Sequence, residues 1–580
     1  MTTLHAAPPG QEAPARASSD ATRHLCAGVY VNEKFRDLVI GKVSTASLRR
    51  VAPSYGFDLV PVVRHAWRAA LLAAVPRAVI LAAALAPLAW ELTATSTIVV
   101  CGLLLLLLLR KALRLSAQVA SEEKFFSHRR RKRGARRRRL SLEGWRWKKE
   151  TPQLKRTAVC ALVLAVIGLV GFGVSPDQGE LALRLMGLIV ATTFVTGVVR
   201  QLHVNHVQKA SRLRPNRLSR RERAIDEQQQ HDCAVYRRPR HSGEETDEQD
   251  PLSLFGEESP FVGAGEAVYQ WDPPMNVQLL RPSEDENEPL RRREHATPPF
   301  RAHELVERLR REVNELRTDE PNVRLPVEVR DRVYAAESDV SKDRSLLDPA
   351  GIDAERMRGL IDGEDTSGLH FIEVSVPSHG CELVTTVFLH VRLQGRTLTL
   401  FCVACALTRN PREFQRSEEY GQSGKRAAVA AGGQALLRLP HEVSSCWRIL
   451  RYAYYLAKTL VLGPDGTRRP LRNIEIGSQV SAREEHAQEW RQVQFDQSQV
   501  LSHMKTVEER LLNAISDFLH ENNVDNSEFD KRAKKLVQNS FNIGSNTTIL
   551  GSAVGPGAHS ANTAGYTGNA PNPSNDGGQQ

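Results

Sequence analysis

This chain shows no cysteine framework, no apolar leader core in its first residues and no legible catalytic motif. Its eight cysteines, Cys26, Cys101, Cys160, Cys233, Cys381, Cys402, Cys405 and Cys446, are scattered. That distribution suggests no disulfide scaffold and fits a reducing compartment. Met1 to Ala21 is polar and rich in Ala, Pro and Ser, with no apolar core of a signal peptide. The first apolar stretch would then act as its own insertion signal.

The tests for chemistry fail one after another. Cys402-Val-Ala-Cys405 has metal-like spacing, but both residues lie in a strand pattern, where positions three apart point to opposite faces. Gly263-Ala-Gly265 lacks the third glycine of a dinucleotide loop. Gly421-Gln-Ser-Gly-Lys425 has Glu419 where a phosphate loop needs its first glycine, and Arg426 where it needs a hydroxyl. No Ser occupies a Gly-x-Ser-x-Gly elbow, no helix carries His-Glu-x-x-His, and His370, His379, His390 and His441 are dispersed. The sequence therefore offers no catalytic, cofactor-binding or metal-ligating residue.

What is present is apolar length. Two pairs of stretches, 71–92 with 93–109 and 157–174 with 181–199, are each long enough to cross a ~30 Å hydrocarbon core, the shorter ones only just. The polar breaks within each pair are short, so each pair predicts a helical hairpin. Arg77 and Arg184 interrupt the pattern and are expected to snorkel toward headgroups. Re-entrant or buried core hairpins are the competing reading.

Charge orients the hairpins. Residues 110–156 hold 18 Lys and Arg against four Glu, a net of +14 in a chain that totals +11, so everything else sums to −3. Basic flanks stay on the cytoplasmic side. The loop and both termini are expected inside the cell. Within it, Arg129, Arg130, Arg131, Lys132, Arg133, Arg136, Arg137, Arg138 and Arg139, followed by Trp145 and Trp147, form a candidate surface for anionic membrane lipid. Topology signal alone competes with that reading. Nucleic acid, which the same block would attract through phosphates, ranks lowest.

The remaining chain divides by composition. Residues 1–24 read as a disordered tail and 25–68 as an ordered segment beneath the membrane. Residues 200–299 read as a basic, then acidic linker, interrupted by an island at 261–282 that is either a docking segment or an irregular strand packed on the next domain. From 300 to 480 an α+β domain is expected. His303 to Leu316 has one helical face, and the alternation at 370–376, 387–393 and 398–402 predicts a meander with a tight turn at Gln394-Gly395. Residues 447–461 read as a helix with Arg448, Arg451, Tyr455 and Lys458 opposite Trp447, Leu450, Tyr454, Ala457 and Val461. It would lie in the membrane interface or pack on its own sheet.

The strongest soluble periodicity is Trp490, Val493, Gln497, Val500, Met504, Val507, Leu511, Ala514 and Phe518, spaced alternately three and four apart. It predicts a coiled coil over 484–521 that joins copies of the chain, against a single helix packed on its own domain. Residues 522–580 read as a short helix and a Gly/Asn-rich tail, disordered or self-pairing.

With this layout, the chain resembles uncharacterised multi-pass membrane proteins of actinomycetes. The resemblance rests on 30–37, 49–58, the island 261–282 and Leu393-Gln-Gly-Arg-Thr397, and covers most of residues 25–460. It implies no activity and no catalytic residue. The expected fold is therefore four transmembrane helices in two hairpins, a cytoplasmic α+β domain and a C-terminal coiled-coil helix. The expected function is a non-enzymatic, multi-pass membrane-anchored scaffold or signalling component with a cytoplasmic protein partner. A transporter or channel component, or an enzyme with an unrecognised site in the α+β domain, are the alternatives.

Overall fold

The computed structural model describes residues 18–130, 157, 159–236, 260–283, 289–319, 324–340, 343–415, 424–467, 476–478 and 480–541, without the side chains of 113–130 and 538–541. Among the described residues, three helices are long and apolar enough to cross a membrane: Leu59–Ala89, Thr93–Ala112 (the apolar part of a helix that runs to Arg130) and Pro176–Lys209. The fourth expected stretch forms a shorter apolar helix, Val159–Val174. At 1.5 Å per residue it reaches about 24 Å, short of a full hydrocarbon core. The Asp58 carboxylate starts the first span by accepting from the Val60 amide. Pro176 opens the last span at a position where a missing amide hydrogen costs nothing.

Below the spans lies a helical layer. Asp20–Val31, capped by Ser19, is followed by the short helix Glu33–Leu38, capped by Asn32, and by a π-helical turn, Val39–Ser44. Leu25, Val29, Phe35, Ile40, Val60 and Val63 form its core with the start of the first span. Residues 20–44 are thus helical and pack on the start of that span.

The α+β expectation holds. A seven-stranded sheet runs β1 (Cys233–Tyr236), β4 (Glu328–Ala336), β5 (Leu369–Ser378), β6 (Leu383–Gln394), β7 (Thr397–Leu407), then β2 (Glu266–Gln270), with β3 (Met275–Gln278) also on β7. Among the described strands only the β1–β4 pair is parallel. Gly395, at φ +62°, and Arg396 make the two-residue turn between β6 and β7. Three strands come from residues before Pro299 that composition reads as linker. The island supplies β2 and β3, so its docking reading gives way to sheet edge.

One sheet face is covered by the helices Ala302–Glu315 and Gln494–Glu521. The other carries a cluster of Phe261, Tyr334, Phe371 and Phe388, with Phe261 stacked on Phe388 at 4.3 Å, and receives Tyr55 from the layer under the spans. Cys402 belongs to the first face and Cys405 to the second, as strand alternation requires.

The expected coiled-coil seam meets a different partner. Met504, Val507, Leu511, Ala514 and Phe518 are buried in the core between the sheet and Ala302–Glu315, while Trp490, Val493 and Val500 pack on Leu383 and Ala406. Trp490 and Val493 precede the helix, which begins at Gln494. The heptad spacing and a one-sided core helix both place apolar residues every three or four positions, so periodicity alone does not separate them.

Candidate functional site

The most unusual chemistry lies where the spans meet the helical layer. Its frame is a helical hairpin that sequence reasoning missed. Lys425–Leu437 climbs along the last span, Leu439–Ser444 turns between the spans, and Ile449–Leu462 returns. Leu439 and Val443 are buried against Ile80, Val99, Leu103 and Ile189 of the three spans. The climb is a close helix pair. A Cβ on Gly197 would sit 2.6 Å from Ala435 Cβ, and one on Gly432 would sit 2.7 Å from the Phe194 ring. The signal was available in Ala428, Ala431, Gly432 and Ala435, small residues three and four apart that let membrane helices approach.

Returning, Ile449–Leu462 turns its basic side inward. Arg451 pairs with Asp37 at 3.2 Å and Arg448 with Glu33 at 3.0 Å. Trp447, Leu450, Tyr454, Leu460 and Val461 stay exposed. The expected two-faced helix is present, with its charges spent on the helical layer and its apolar side open. That is the orientation an interfacial helix needs.

Arg77 lies at the centre. It does not snorkel: its side chain is 1% exposed, and it donates from Nε to Glu442 at 2.8 Å and from Nη2 to Glu33 at 2.7 Å. Glu33 also binds Arg36 at 3.1 Å. Burial opposes ionisation of Glu33, but the hydrogen bond and charge of Arg77, with Arg36 and Arg448, overcome it and hold the carboxyl at about 2. Arg36 donates to the Tyr452 hydroxyl at 2.8 Å, and that hydroxyl donates to Asp37 at 3.0 Å. One connected network thus joins the first span, the helical layer and the hairpin. Arg184, by contrast, is exposed and pairs with Glu180 at 2.6 Å near the start of its helix.

A second polar contact locks the layer to the sheet. His24 meets Glu382 at 2.6 Å, both buried, in the turn between β5 and β6. Burial again opposes the Glu382 charge, yet His24, Asn410 and Arg483 hold its carboxyl at about 2. Arg332 and Glu373 pair within the second sheet face, where Tyr55 donates to Glu373 at 3.1 Å.

Beside Arg77 opens a cavity of about 320 Å³ between the first and last spans and the hairpin. It is bordered by Arg36, Arg77, Arg110, Arg200 and Arg438, against Glu33 and Glu442. Among the described residues no group of three or more His, Cys, Asp or Glu has metal-site geometry.

These elements decide what the C-terminal half can be compared with. Residues 271–552 match the AbeC-like domain family. The matched segment takes in β3 to β7, the inserted hairpin and the long core helix, so it includes helices packed on the apolar spans as well as the sheet. No curated protein and no solved structure matches the chain.

Of the expected site residues, the seam set is placed in the core as described. Arg129 and Arg130 end the second span's helix without described side chains. The rest of the basic surface, Arg131 through Arg139 with Trp145 and Trp147, lies outside the described residues, as does the tail from 542.

Proposed function

We propose that this protein is a multi-pass membrane-anchored scaffold or signalling component. Its spans hold an α+β domain tightly against the cytoplasmic face. The observation that carries the reading is the Arg77 network: one buried guanidinium binds the helical layer through Glu33 and the AbeC-like hairpin through Glu442. Buried ion pairs of this kind fix geometry more than they add stability.

Parity supports the orientation. The N-terminal helix touches the β5–β6 turn, through His24–Glu382 and through the Ala21 amide on the Gly380 carbonyl at 3.3 Å. The layer before the first span and the sheet after the last one therefore share a face, which requires an even number of crossings. Val159–Val174, packed with Gly168 and Gly171 toward Cys101 and Ile98, is the natural fourth. Its exposed Leu162, Val166, Leu169 and Val170 suit lipid. Both termini and the basic loop then lie inside, with the loop on anionic lipid. Self-association, expected from the heptad spacing, would use a surface other than the buried seam.

Proximity labelling from the α+β domain in cells tests the reading. A reproducible set of cytoplasmic proteins, altered when Glu33→Gln and Glu442→Gln loosen the junction, is the expected result. Labelling no different from that of an unrelated membrane protein would defeat it. The arginine-bordered cavity between spans favours a second reading, transport. Flux through liposomes carrying the protein, lost in Arg77→Leu, would establish it.

A further inference from the structure

The cavity beside Arg77 has charge in excess of its own counter-ions. Arg36, Arg77, Arg200 and Arg438 border it against Glu33 and Glu442, a formal excess of two positive charges. Both carboxylates are engaged: Glu33 by Arg77, Arg36 and Arg448, and Glu442 by Arg77. Arg200 lies within electrostatic reach of Arg438 and Arg36 as well as of Glu442. Arg77 keeps its Nη1 buried with no hydrogen-bond partner, on a side chain only 1% exposed. A buried ionic donor left unsatisfied costs more than the bond it would make gains. Gathering like charges at the end of apolar spans, where water is scarce, costs more still.

We propose that this cavity binds a phosphate group, with Arg77 Nη1, Arg200 and Arg438 as its donors. The guanidinium fork matches phosphate oxygens in geometry and stays charged in a partly dry site. Three elements supply the donors: Arg77 from the first span, Arg200 from the last, and Arg438 from the hairpin. A bound phosphate would therefore tie the hairpin to both spans at once. The phosphate is either the headgroup of a lipid from the inner leaflet or a free phosphate from the cytoplasm. The volume of about 320 Å³ admits a phosphate with room beside it for a small headgroup or water.

This rests on the membrane reading only for the source of the phosphate, and the test separates the two. The full chain is purified in neutral detergent and in nanodiscs of phosphatidylcholine, with or without phosphatidylglycerol. Thermal stability and lipid retained in native mass spectrometry are compared with Arg200→Gln/Arg438→Gln and with Arg200→Lys/Arg438→Lys. The Arg129–Arg139 block is intact in all three, so differences report on the cavity.

Stabilisation by phosphatidylglycerol but not by inorganic phosphate assigns a lipid headgroup. Stabilisation of the detergent-solubilised protein by inorganic phosphate over chloride assigns a free anion. In either case the Gln pair should bind roughly thirtyfold more weakly, two basic residues' worth of attraction to an anionic group, and the Lys pair should retain most of it. The proposal fails if neither source stabilises the parent above chloride and phosphatidylcholine. It also fails if the Gln pair, folded by its unchanged elution profile, binds as well as the parent. Should the Gln pair not fold, the parent and the Lys pair alone decide, since absence of phosphate stabilisation in both overturns the assignment.

Discussion

Replacing Arg77 with Met should cost the protein about 3 to 4 kcal/mol. Arg77 makes two charge-assisted hydrogen bonds, to Glu442 at 2.8 Å and Glu33 at 2.7 Å, and its side chain is almost wholly buried. Bonds to charged groups contribute roughly 1.5–3 kcal/mol each, and breaking a buried pair from one side costs roughly 3–5. Glu33 keeps Arg36 and Arg448, so the larger loss falls on Glu442, and the total sits toward the lower end. Glu442→Gln alone should cost about 2 kcal/mol, and the double variant less than the two together by about 1–3. Unfolding in mild detergent can be followed by a thiol-reactive dye, because Cys26 and Cys402 are buried, with Cys160, Cys381 and Cys446, which are not, replaced by Ser. A stability for Arg77→Met within about 0.5 kcal/mol of the parent, or strictly additive single variants, would refute the network as a structural link.

Acid should loosen the same joints. Glu33 and Glu382 titrate near 2 in the folded chain and near 4.5 when free of partners, so their contribution is complete above pH 4.5 and drains away as pH falls toward 2. Each is worth up to roughly 3 kcal/mol, and an acid titration of Glu382→Gln should lose its share of the slope. Gly197→Leu should lift Lys425–Leu437 from the last span, because even a Cβ there would meet Ala435 at 2.6 Å. Faster proteolysis within 424–467, with the sheet core still protected, is the expected pattern. Leu511→Ala should cost about 2–5 kcal/mol as a core cavity and leave the oligomeric mass unchanged by light scattering. A fall in mass without loss of stability would restore the intermolecular seam.

The sheet was legible because its strands follow the period of two, from Ile372, Val374 and Val376 to Leu398, Leu400 and Cys402, all buried on one face. Its edges were not. β1 is four residues long and β2 and β3 sit in a polar, proline-broken stretch, so neither length nor composition marks them. The apolar spans were visible from length alone. The hairpin 425–462 was not, because Lys425–Leu437 has only 13 residues and its small residues look weakly hydrophobic until they meet Gly197 and Phe194. The charge network was hidden for a different reason. Glu33, Arg77 and Glu442 are far apart in the chain, and an arginine inside an apolar stretch is read locally as a snorkelling end. Only the tertiary arrangement shows that it faces two carboxylates.

Sidedness tests the account most directly. Single cysteines replace Lys34, Glu91, Asp177 and Arg291, exposed positions on the helical layer, the two hairpin tips and the sheet domain, in a chain with Cys160→Ser, Cys381→Ser and Cys446→Ser. A membrane-impermeant thiol reagent on intact cells should label Glu91→Cys and Asp177→Cys, and should reach Lys34→Cys and Arg291→Cys only after permeabilisation. Labelling of Lys34→Cys and Arg291→Cys from opposite sides would contradict the even number of crossings, and with it the cytoplasmic seat proposed for the α+β domain.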